Sequence, residues 1–342
     1  MRKALERAGA QVTVVTDRRS FAARTPGLLR TSLHEPVDAF LVGFPGHADV
    51  ATARLAGTAR RAPVIFDAFV SLYESAVGDR RTVARGSIKA FRYAVEDQLA
   101  SALATRVVLD TDAHARYFAE RFKVSPRKLR RIWVGADDEV MRPGASPVDS
   151  RFRVFMYASF IPLHGLEYVV EAAHLLEQRN EEVSFTVVGT GDCEPDIRRL
   201  ARDLGVASVD FVGRRPYETL PALISAHHVC LGIFGTSGKA SRVIPNKVFD
   251  ALAVGRAVIT ADTPAVREAL THRRDVWLCA GGSADALAAS IVALRDDAET
   301  RDAIADAGHA LFTEKFSIDA LSHDVSELVL ETLDATGTNR RS

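Results

Sequence analysis

Cysteine is scarce in this chain, and the three cysteines present stand alone. Cys193, Cys230 and Cys279 lie far apart in the sequence of 342 residues. This spacing does not suit a zinc site or a disulfide framework, and it favours a reducing compartment. Long hydrophobic runs are also missing, since none approaches the roughly 18 residues that span a bilayer and the chain begins without an apolar signal region. We therefore expect a cytoplasmic protein, with peripheral contact to the inner face of the membrane as an open alternative.

An excess of one charge is absent from the whole chain but present in each half. The 44 Lys and Arg residues balance 44 Asp and Glu residues. Residues 1–150 contain 24 basic and 17 acidic residues, a net charge of +7, whereas residues 151–342 contain 20 and 27, a net charge of −7. A basic half indicates either an anionic partner or scattered arginines on a solvated surface. No nucleic-acid motif gathers these arginines, so nucleic acid is not an expected partner.

The sequence does contain a repeated alternation of short β-branched runs and longer amphipathic segments. This alternation is typical of parallel strands joined by crossover helices. The predicted strands are residues 11–16, 39–42, 64–66, 106–109 and 129–134 in the first half, and 153–157, 184–188, 209–212, 229–233, 257–260 and 276–278 in the second. Because 342 residues exceed one ordinary compact core, the prediction is an α/β protein of two doubly wound, Rossmann-like domains.

A proline- and glycine-rich segment at residues 141–149 interrupts the alternation and places the domain boundary near residue 150. The predicted parts are a first domain at 1–145, a second domain at 150–315, a C-terminal helix at 316–334 that crosses back to the first domain, and a disordered tail at 335–342. Residues 2–8 predict a helix that leads into the first strand. The first domain is therefore expected to be shortened at its start.

Glycines follow the predicted strands of the second half. Parallel sheets bind ligands at the carboxyl ends of their strands, where helix N-termini attract anions. Gly189 and Gly191 follow one strand, and they serve either the close approach of a ligand or only a tight turn. Gly213 and Arg214 follow the next strand.

Cations are concentrated in the glycine-rich segment at residues 235–247. This segment is either a phosphate-binding loop, in which Lys239, Arg242 and Lys247 are counter-charges for a diphosphate, or a flexible surface connection. Asp250 lies one turn into the following helix. Its carboxylate suits a ribose diol, and an acid near a helix N-terminus is also favourable without any ligand.

The order of these motifs resembles that of family 4 glycosyltransferases, which are retaining enzymes of the GT-B fold. The resemblance rests on FTVVGTG at 185–191, VDFVGR at 209–214, LPALISAHHV at 220–229 and PNKVFDALAVGRAVIT at 245–260, with LERAGAQVTVV at 5–15 and VGADDEVMRP at 134–143 in the first half. It covers about residues 1–335 but lacks the opening strand and its glycine-rich loop. It implies two domains that face a cleft, an acceptor-side first domain and a second domain that binds a nucleotide-diphosphate sugar donor. It also implies no metal or other cofactor.

The resemblance implies roles for individual residues of the second half. The donor-binding candidates are Ser159, His164, Gly165, Gly189, Gly191, Gly213, Arg214, Lys239, Pro245, Asn246, Lys247, Asp250 and Glu268. Ser159 and His164 stand where the family has an arginine and a lysine that bind the diphosphate, and Arg242 and Asp250 stand where it has two glutamates. Either Lys247 and Arg242 supply the missing positive charge, or the protein has weak or no activity.

The catalytic candidates are Asp67, His47 and Arg242. Asp67 follows the strand at 64–66, where many relatives carry a histidine, and either touches the acceptor or sugar or caps a helix. His47 follows the strand at 39–42 and either orients an acceptor hydroxyl or is structural. The acidic run at 137–139 is predicted to be a solvated turn rather than a metal site.

The acceptor is left open as a glycan, a lipid-linked molecule or a small molecule. A basic set could attract a lipid phosphate or a membrane surface, or form a solvated helix face: Arg80, Arg81, Arg85, Lys89 and Arg92. Two other functions are kept as alternatives to glycosyl transfer. One is a non-catalytic protein that binds a nucleotide sugar or a partner, and the other is a nucleotide-sugar epimerase, which needs no acceptor.

Overall fold

The computed structural model describes residues 1–145 and 151–335. The chain divides into two compact units, the first formed by Met1–Trp133 with Asp319–Ser342 and the second by Val134–Ile318. The division therefore falls at residue 134, upstream of the predicted boundary near residue 150. Residues 146–149 of the predicted connection lie outside the described residues. Residues 336–342 of the predicted disordered tail also lie outside them.

The first unit contains a parallel sheet of four short strands in the order β1-β2-β3-β4. These strands are β1 (Phe40–Val42), β2 (Val64–Asp67), β3 (Arg106–Leu109) and β4 (Leu129–Arg131). Its helices are α1 (Arg2–Arg7), α2 (Phe21–His34), α3 (Asp49–Arg60), α4 (Ile88–Leu103) and α5 (Asp112–Arg121), and a π-helical turn spans Glu74–Asp79.

The predicted strand at residues 11–16 is wrong. Within the described residues these positions belong to no strand, and the sheet ends at β1. Val14 and Val15 are exposed instead of buried. The physical reason is that β-branched residues favour a strand only where a neighbouring strand and a packing surface are available, and the local pattern cannot show whether they are.

The two faces of the first sheet are covered by different helices. Phe66 and Leu109 pack towards α3, α4 and α5, whereas the alternate residues Ile65 and Val108 point to the opposite face. That opposite face is covered by α1 and by α13 (Ile318–Ala335), which contributes Leu321, Val325 and Leu328. The prediction that the C-terminal helix returns to the first domain is therefore confirmed.

The second unit contains a parallel sheet of six strands in the order β10-β9-β8-β5-β6-β7. The strands are β5 (Phe152–Ala158), β6 (Val183–Gly189), β7 (Val209–Val212), β8 (Val229–Leu231), β9 (Ala257–Ala261) and β10 (Trp277–Cys279). The helices are α6 (Leu166–Gln178), α7 (Glu194–Asp203), α8 (Leu220–Ser225), α9 (Asn246–Ala253), α10 (Pro264–Arg267), α11 (Ala284–Asp296) and α12 (Ala298–Lys315). All six predicted strands of this half are confirmed.

The strand order of the second unit reverses at β5. This strand pairs with β6 on one side and with β8 on the other, so the crossover helices leave in opposite directions. Such a reversal opens a crevice beyond the carboxyl ends of the two central strands, which is where open α/β sheets bind ligands. The loops that follow β5 and β8 are therefore the first place to look for a site.

Candidate functional site

Backbone hydrogen bonds join the loops at the point where the strand order reverses. The Phe234 N–H, after β8, donates to the carbonyl oxygen of His164, after β5, at 3.1 Å. The Gly282 N–H, after β10, donates to the carbonyl oxygen of Phe234 at 2.9 Å. Three loops from separate parts of the sequence thus form one connected edge.

The predicted glycines of this edge have clear structural reasons for lacking a side chain. A Cβ on Gly189 would lie 1.8 Å from the carbonyl oxygen of Ala158, and one on Gly191 would lie 2.3 Å from that of Ser159. Gly165 has a φ of +63°, and its Cβ would lie 2.6 Å from the backbone nitrogen of Gly235. These contacts support the tight-turn interpretation, and contact of these glycines with a ligand stays a prediction.

Lys247 lies in the first turn of α9 and is 5% exposed. Its Nζ has no hydrogen-bond acceptor among the described residues. It lies over the aromatic ring of Tyr157, 5.7 Å from the ring centroid. Burial lowers the pKa of Lys247 to about 7. The helix N-terminus adds partial positive charge at the same place, so this point of the edge is suited to an anion.

Asp250 lies one turn further along α9 and is 1% exposed. Its two carboxylate oxygens accept hydrogen bonds from the hydroxyls of Tyr157 and Tyr217, the latter at 3.1 Å. Burial raises the pKa of Asp250 to about 6, although both hydroxyls act in the opposite direction. Sequence reasoning missed both tyrosines, because a tyrosine in or beside a strand looks like an ordinary core residue.

The loop between β8 and α9 holds the other predicted cations. Lys239 is buried and Arg242 is half-buried, which lowers the pKa of the Arg242 guanidinium. A Cβ on Gly238 would lie 2.9 Å from that guanidinium, so the glycine allows the arginine to lie against the loop backbone. Burial of these two cations favours a packed loop, and contact of the loop with a phosphate stays a prediction.

The remaining predicted donor residues lie around this edge with different exposures. Ser159, Arg214 and Asn246 are exposed, His164 is buried, and Gly213, Pro245 and Glu268 are intermediate. Pro245 precedes α9 and Glu268 follows α10 directly. Lys247 and Asp250 are thus brought together through Tyr157, whereas Ser159 and Arg214 lie at the surface.

In the first unit, Asp67 and Asp110 lie at the carboxyl ends of the neighbouring strands β2 and β3. Burial raises the pKa of Asp67 to about 6, and the nearby Asp110 acts in the same direction, while the N-terminal amine opposes them. Asp110 Oδ1 lies 2.7 Å from His114 Nδ1. Sequence reasoning missed this pair, although an aspartate directly after a strand and a histidine four residues later gave a signal.

His47 is buried, and its Nε2 lies 3.1 Å from Asp97 Oδ1. Asp97 also accepts hydrogen bonds from the Ser71 hydroxyl and from the backbone N–H groups of Leu72 and Tyr73. Asp97 therefore holds the segment after β2, and His47 lies beside this carboxylate without a hydrogen bond to it among the described residues. Contact of His47 with an acceptor stays a prediction.

The acidic run at 137–139 has a structural role. Asp138 Oδ2 accepts a hydrogen bond from the Ile318 N–H at the start of α13. Within residues 1–145 and 151–335, no group of three His, Cys, Asp or Glu side chains is arranged to hold a metal ion. No helix in the same ranges is both long and apolar enough to cross a membrane.

Comparison with known families identifies the second unit. Residues 151–297 match the family described as Glycosyl transferases group 1. WcaI of Escherichia coli K12, which is named for colanic acid biosynthesis, is 33% identical over 129 residues, covering 37% of this chain and 31% of WcaI. The resemblance seen in the sequence is therefore confirmed.

A second relative aligns over a longer part of the chain. The GDP-mannose-dependent α-(1-6)-phosphatidylinositol monomannoside mannosyltransferase of Mycobacterium tuberculosis is 25% identical over 211 residues, covering 57% of this chain and 54% of that enzyme. The chain thus spans between about a third and about half of the length of these two relatives.

The fold is shared with a solved structure along nearly the whole chain. Anabaena HepE in complex with UDP-glucose aligns with a TM-score of 0.72 and 18% identity, covering 96% of this chain and 88% of HepE. At this identity the likeness shows the fold alone. It confirms two Rossmann-like domains of the GT-B type.

Proposed function

We propose that this chain, whose residues 151–297 belong to the group 1 glycosyltransferases, transfers a sugar from a nucleotide-diphosphate sugar to the hydroxyl of an acceptor. The donor binds at the edge where the strand order of the second unit reverses. A uridine diphosphate sugar is the first donor to test, because HepE has been solved with UDP-glucose. A guanosine diphosphate sugar is the second, because the mycobacterial relative is named for GDP-mannose.

The observation that carries the proposal is the buried ammonium of Lys247. A charge that is removed from water without a hydrogen-bonding partner destabilises a fold. A lysine at such a place either has a lowered pKa or is stabilised when an anion binds beside it. Lys247 combines this burial with a helix N-terminus of α9, whose N–H groups attract phosphate oxygens. A diphosphate satisfies both features at once.

Asp250 supports a nucleotide at the same place. A carboxylate can accept about four hydrogen bonds, and the two tyrosine hydroxyls use two of these positions. A ribose diol can take the others once the partly exposed Tyr217 moves aside. Asp250 then sets the position of the ribose, and Lys247 binds the phosphates one helical turn away.

In the proposed reaction an acceptor oxygen bonds to the anomeric carbon while the bond from that carbon to the phosphate oxygen breaks. The electron pair of the broken bond stays on the diphosphate, where Lys247, Arg242 and the N-terminus of α9 stabilise the charge. The acceptor attacks from the face on which the diphosphate departs, so the configuration is retained. The acceptor proton passes to the departing diphosphate, so the step needs no separate base. Asp67 is the proposed contact to the acceptor or the sugar.

The test combines donor binding with the stability of the unliganded chain. Lys247→Met should weaken binding of the preferred nucleotide sugar by about 10- to 100-fold, the value of a charge-assisted hydrogen bond. The same change should raise the unfolding temperature of the unliganded chain, because it removes a buried unpaired charge. Calorimetry and thermal unfolding measure the two effects, with the exposed Lys315→Met as the matched control.

A loss of stability together with unchanged donor binding would remove Lys247 from the phosphate site. A protein that binds the donor without transferring it is the second candidate, because the exposed Ser159 and the buried His164 occupy the positions of two expected cations. Release of free nucleotide that depends on an added acceptor separates transfer from binding alone. An epimerase would instead change the sugar of the donor without any acceptor.

A further inference from the structure

Helix α4 of the first unit turns its large apolar side chains outward. Ile88 is 89% exposed, Phe91 71%, Leu99 54% and Leu103 36%. The buried positions of the same helix are small or polar: Ala90, Asp97, Ala100 and Ser101. A helix on the surface of a globular protein normally shows the reverse distribution, with its apolar side facing the core. The core of the first unit therefore does not explain these apolar residues.

The exposed apolar residues of α4 form one continuous stripe. Ile88, Phe91, Leu99 and Leu103, with the partly exposed Val95 between them, follow one another at intervals of three or four residues. This spacing places them on one face of the helix, above one another. We call these five residues the α4 stripe.

Cations flank both ends of the α4 stripe. Five exposed basic residues lie at or before its N-terminal end, and no acidic residue occurs between Asp79 and Glu96: Arg80, Arg81, Arg85, Lys89 and Arg92. At the other end, Lys128 Nζ donates to the carbonyl oxygens of Ala102 and Ala104 at 2.6 and 2.8 Å. Burial lowers the pKa of Lys128, and the positive charges of Arg54 and Arg106 lower it further.

We propose that the α4 stripe and its flanking cations dock the protein on the surface of an anionic lipid bilayer. The apolar side chains enter the boundary between headgroups and acyl chains, and the cations contact the lipid phosphates. Long apolar side chains on one side of a helix, bordered by Lys and Arg, are what an interfacial helix requires. The inference goes beyond sugar transfer, because such docking needs neither donor nor acceptor.

The charges favour a membrane over a second copy of this chain. A symmetric dimer would bring the same surface of each copy together. Because both ends of the α4 stripe are basic, either direction of helix pairing would place cations opposite cations, which opposes association. An anionic bilayer has the complementary charge along the whole length of the stripe.

The test is co-sedimentation of the full chain with vesicles of phosphatidylcholine alone or mixed with phosphatidylglycerol. The wild type should bind the mixed vesicles, and added salt should weaken this binding. Ile88→Ser/Phe91→Ser should remove most of it, and the high exposure of both residues keeps the fold unaffected. The matched control is Val14→Ser/Leu330→Ser, at positions 58% and 53% exposed outside the stripe, which should leave binding unchanged.

A second pair of variants tests the charges. Arg85→Gln/Lys89→Gln should weaken binding to the mixed vesicles by about 30-fold, whereas the exposed control pair Arg18→Gln/Arg202→Gln should not. Donor binding should be the same in all variants, which separates this proposal from the proposed transferase. Equal binding to both kinds of vesicle, no binding to either, or a dimer in solution that Ile88→Ser/Phe91→Ser dissociates would overturn it.

Discussion

The two units place the groups at their strand ends by different means. In the second unit, the loops lie against one another through backbone atoms, and Gly165, Gly189 and Gly191 make that approach possible. In the first unit, buried polar side chains from different elements lie against one another, as in the pairs of His47 with Asp97 and His114 with Asp110. The first arrangement depends on residues without side chains at the points of contact, and the second depends on the partners of buried polar groups.

This difference predicts which substitutions each unit tolerates. A unit held by close backbone contact should be sensitive to one added methyl group and less sensitive to the loss of one charge. A unit held by buried polar pairs should respond in the opposite way, because removing one partner leaves the other without compensation.

Gly189→Ala should give the largest effect. The new Cβ would lie 1.8 Å from the Ala158 carbonyl oxygen, and the φ of +133° is unfavourable for alanine. Overpacking and backbone strain together should cost about 3 kcal/mol or more. Gly213→Ala is the control, since its Cβ would meet nothing within 4 Å, and it should change the free energy of unfolding by less than about 0.5 kcal/mol. Urea unfolding of both variants measures this, and equal values would show that backbone contact does not hold the second unit.

Replacing one buried aspartate in each unit should give the second-largest difference in the free energy of unfolding between the two units. Asp97 accepts hydrogen bonds from two backbone N–H groups, which can only donate. In Asp97→Asn, the side-chain NH₂ group would face one of these donors. The substitution should therefore lower the free energy of unfolding by about 2 to 3 kcal/mol. Asp250 accepts from two hydroxyls, which can rotate and accept instead. Asp250→Asn should therefore cost about 1 kcal/mol or less, and the removal of a buried charge offsets part of this.

Chemical unfolding at neutral pH compares the two asparagine variants. The conservative change keeps the volume of each side chain, so packing differences are small. If Asp250→Asn lowered the free energy of unfolding more than Asp97→Asn, the second unit would also depend on a buried carboxylate. The distinction between the two units would then not hold.

The pH dependence of donor binding tests whether Lys247 binds the phosphates. Its pKa of about 7 in the folded chain lies below the ordinary value of 10.5, so between these values the unfolded chain binds more protons and stability rises with pH. A bound diphosphate holds the proton on Lys247, so affinity should fall as the pH rises above about 7, by up to about tenfold per unit. Titration calorimetry from pH 6 to 9 checks this with a nucleotide sugar, and Lys247→Met should show neither trend. A flat profile in the wild type would place the phosphates elsewhere.

The sequence predicted the second unit better than the first for a physical reason. Doubly covered parallel strands such as β8 and β9 appear as short, fully buried runs, and glycines such as Gly189 and Gly191 mark the loops after other strands. The cation at position 247 could be predicted, because it stands at a helix start after a glycine-rich segment. The lack of a hydrogen-bond acceptor for Lys247 within residues 1–145 and 151–335 could not be predicted, because it depends on which side chains surround the ammonium in three dimensions.

The buried pairs of the first unit could not be predicted in the same way. His47 and Asp97 are fifty residues apart, and each was an ordinary polar residue in its local segment. Tyr217 likewise reaches Asp250 from a separate element. Local patterns report which face of an element is apolar, but the partners of a buried charge are fixed only when the elements assemble.

The smallest expected effect tests the segment that was predicted to be a strand. Val14 is 58% exposed, so Val14→Thr should change the free energy of unfolding by less than about 0.5 kcal/mol. Val187 is 1% exposed in β6, and Val187→Thr places a hydroxyl in an apolar core at a cost of about 1 to 3 kcal/mol. Both changes keep the β-branched shape, so strand propensity is nearly constant and only burial differs. Equal costs in urea unfolding would show that residues 11–16 pack as a strand after all, and the first unit would then be organised like the second.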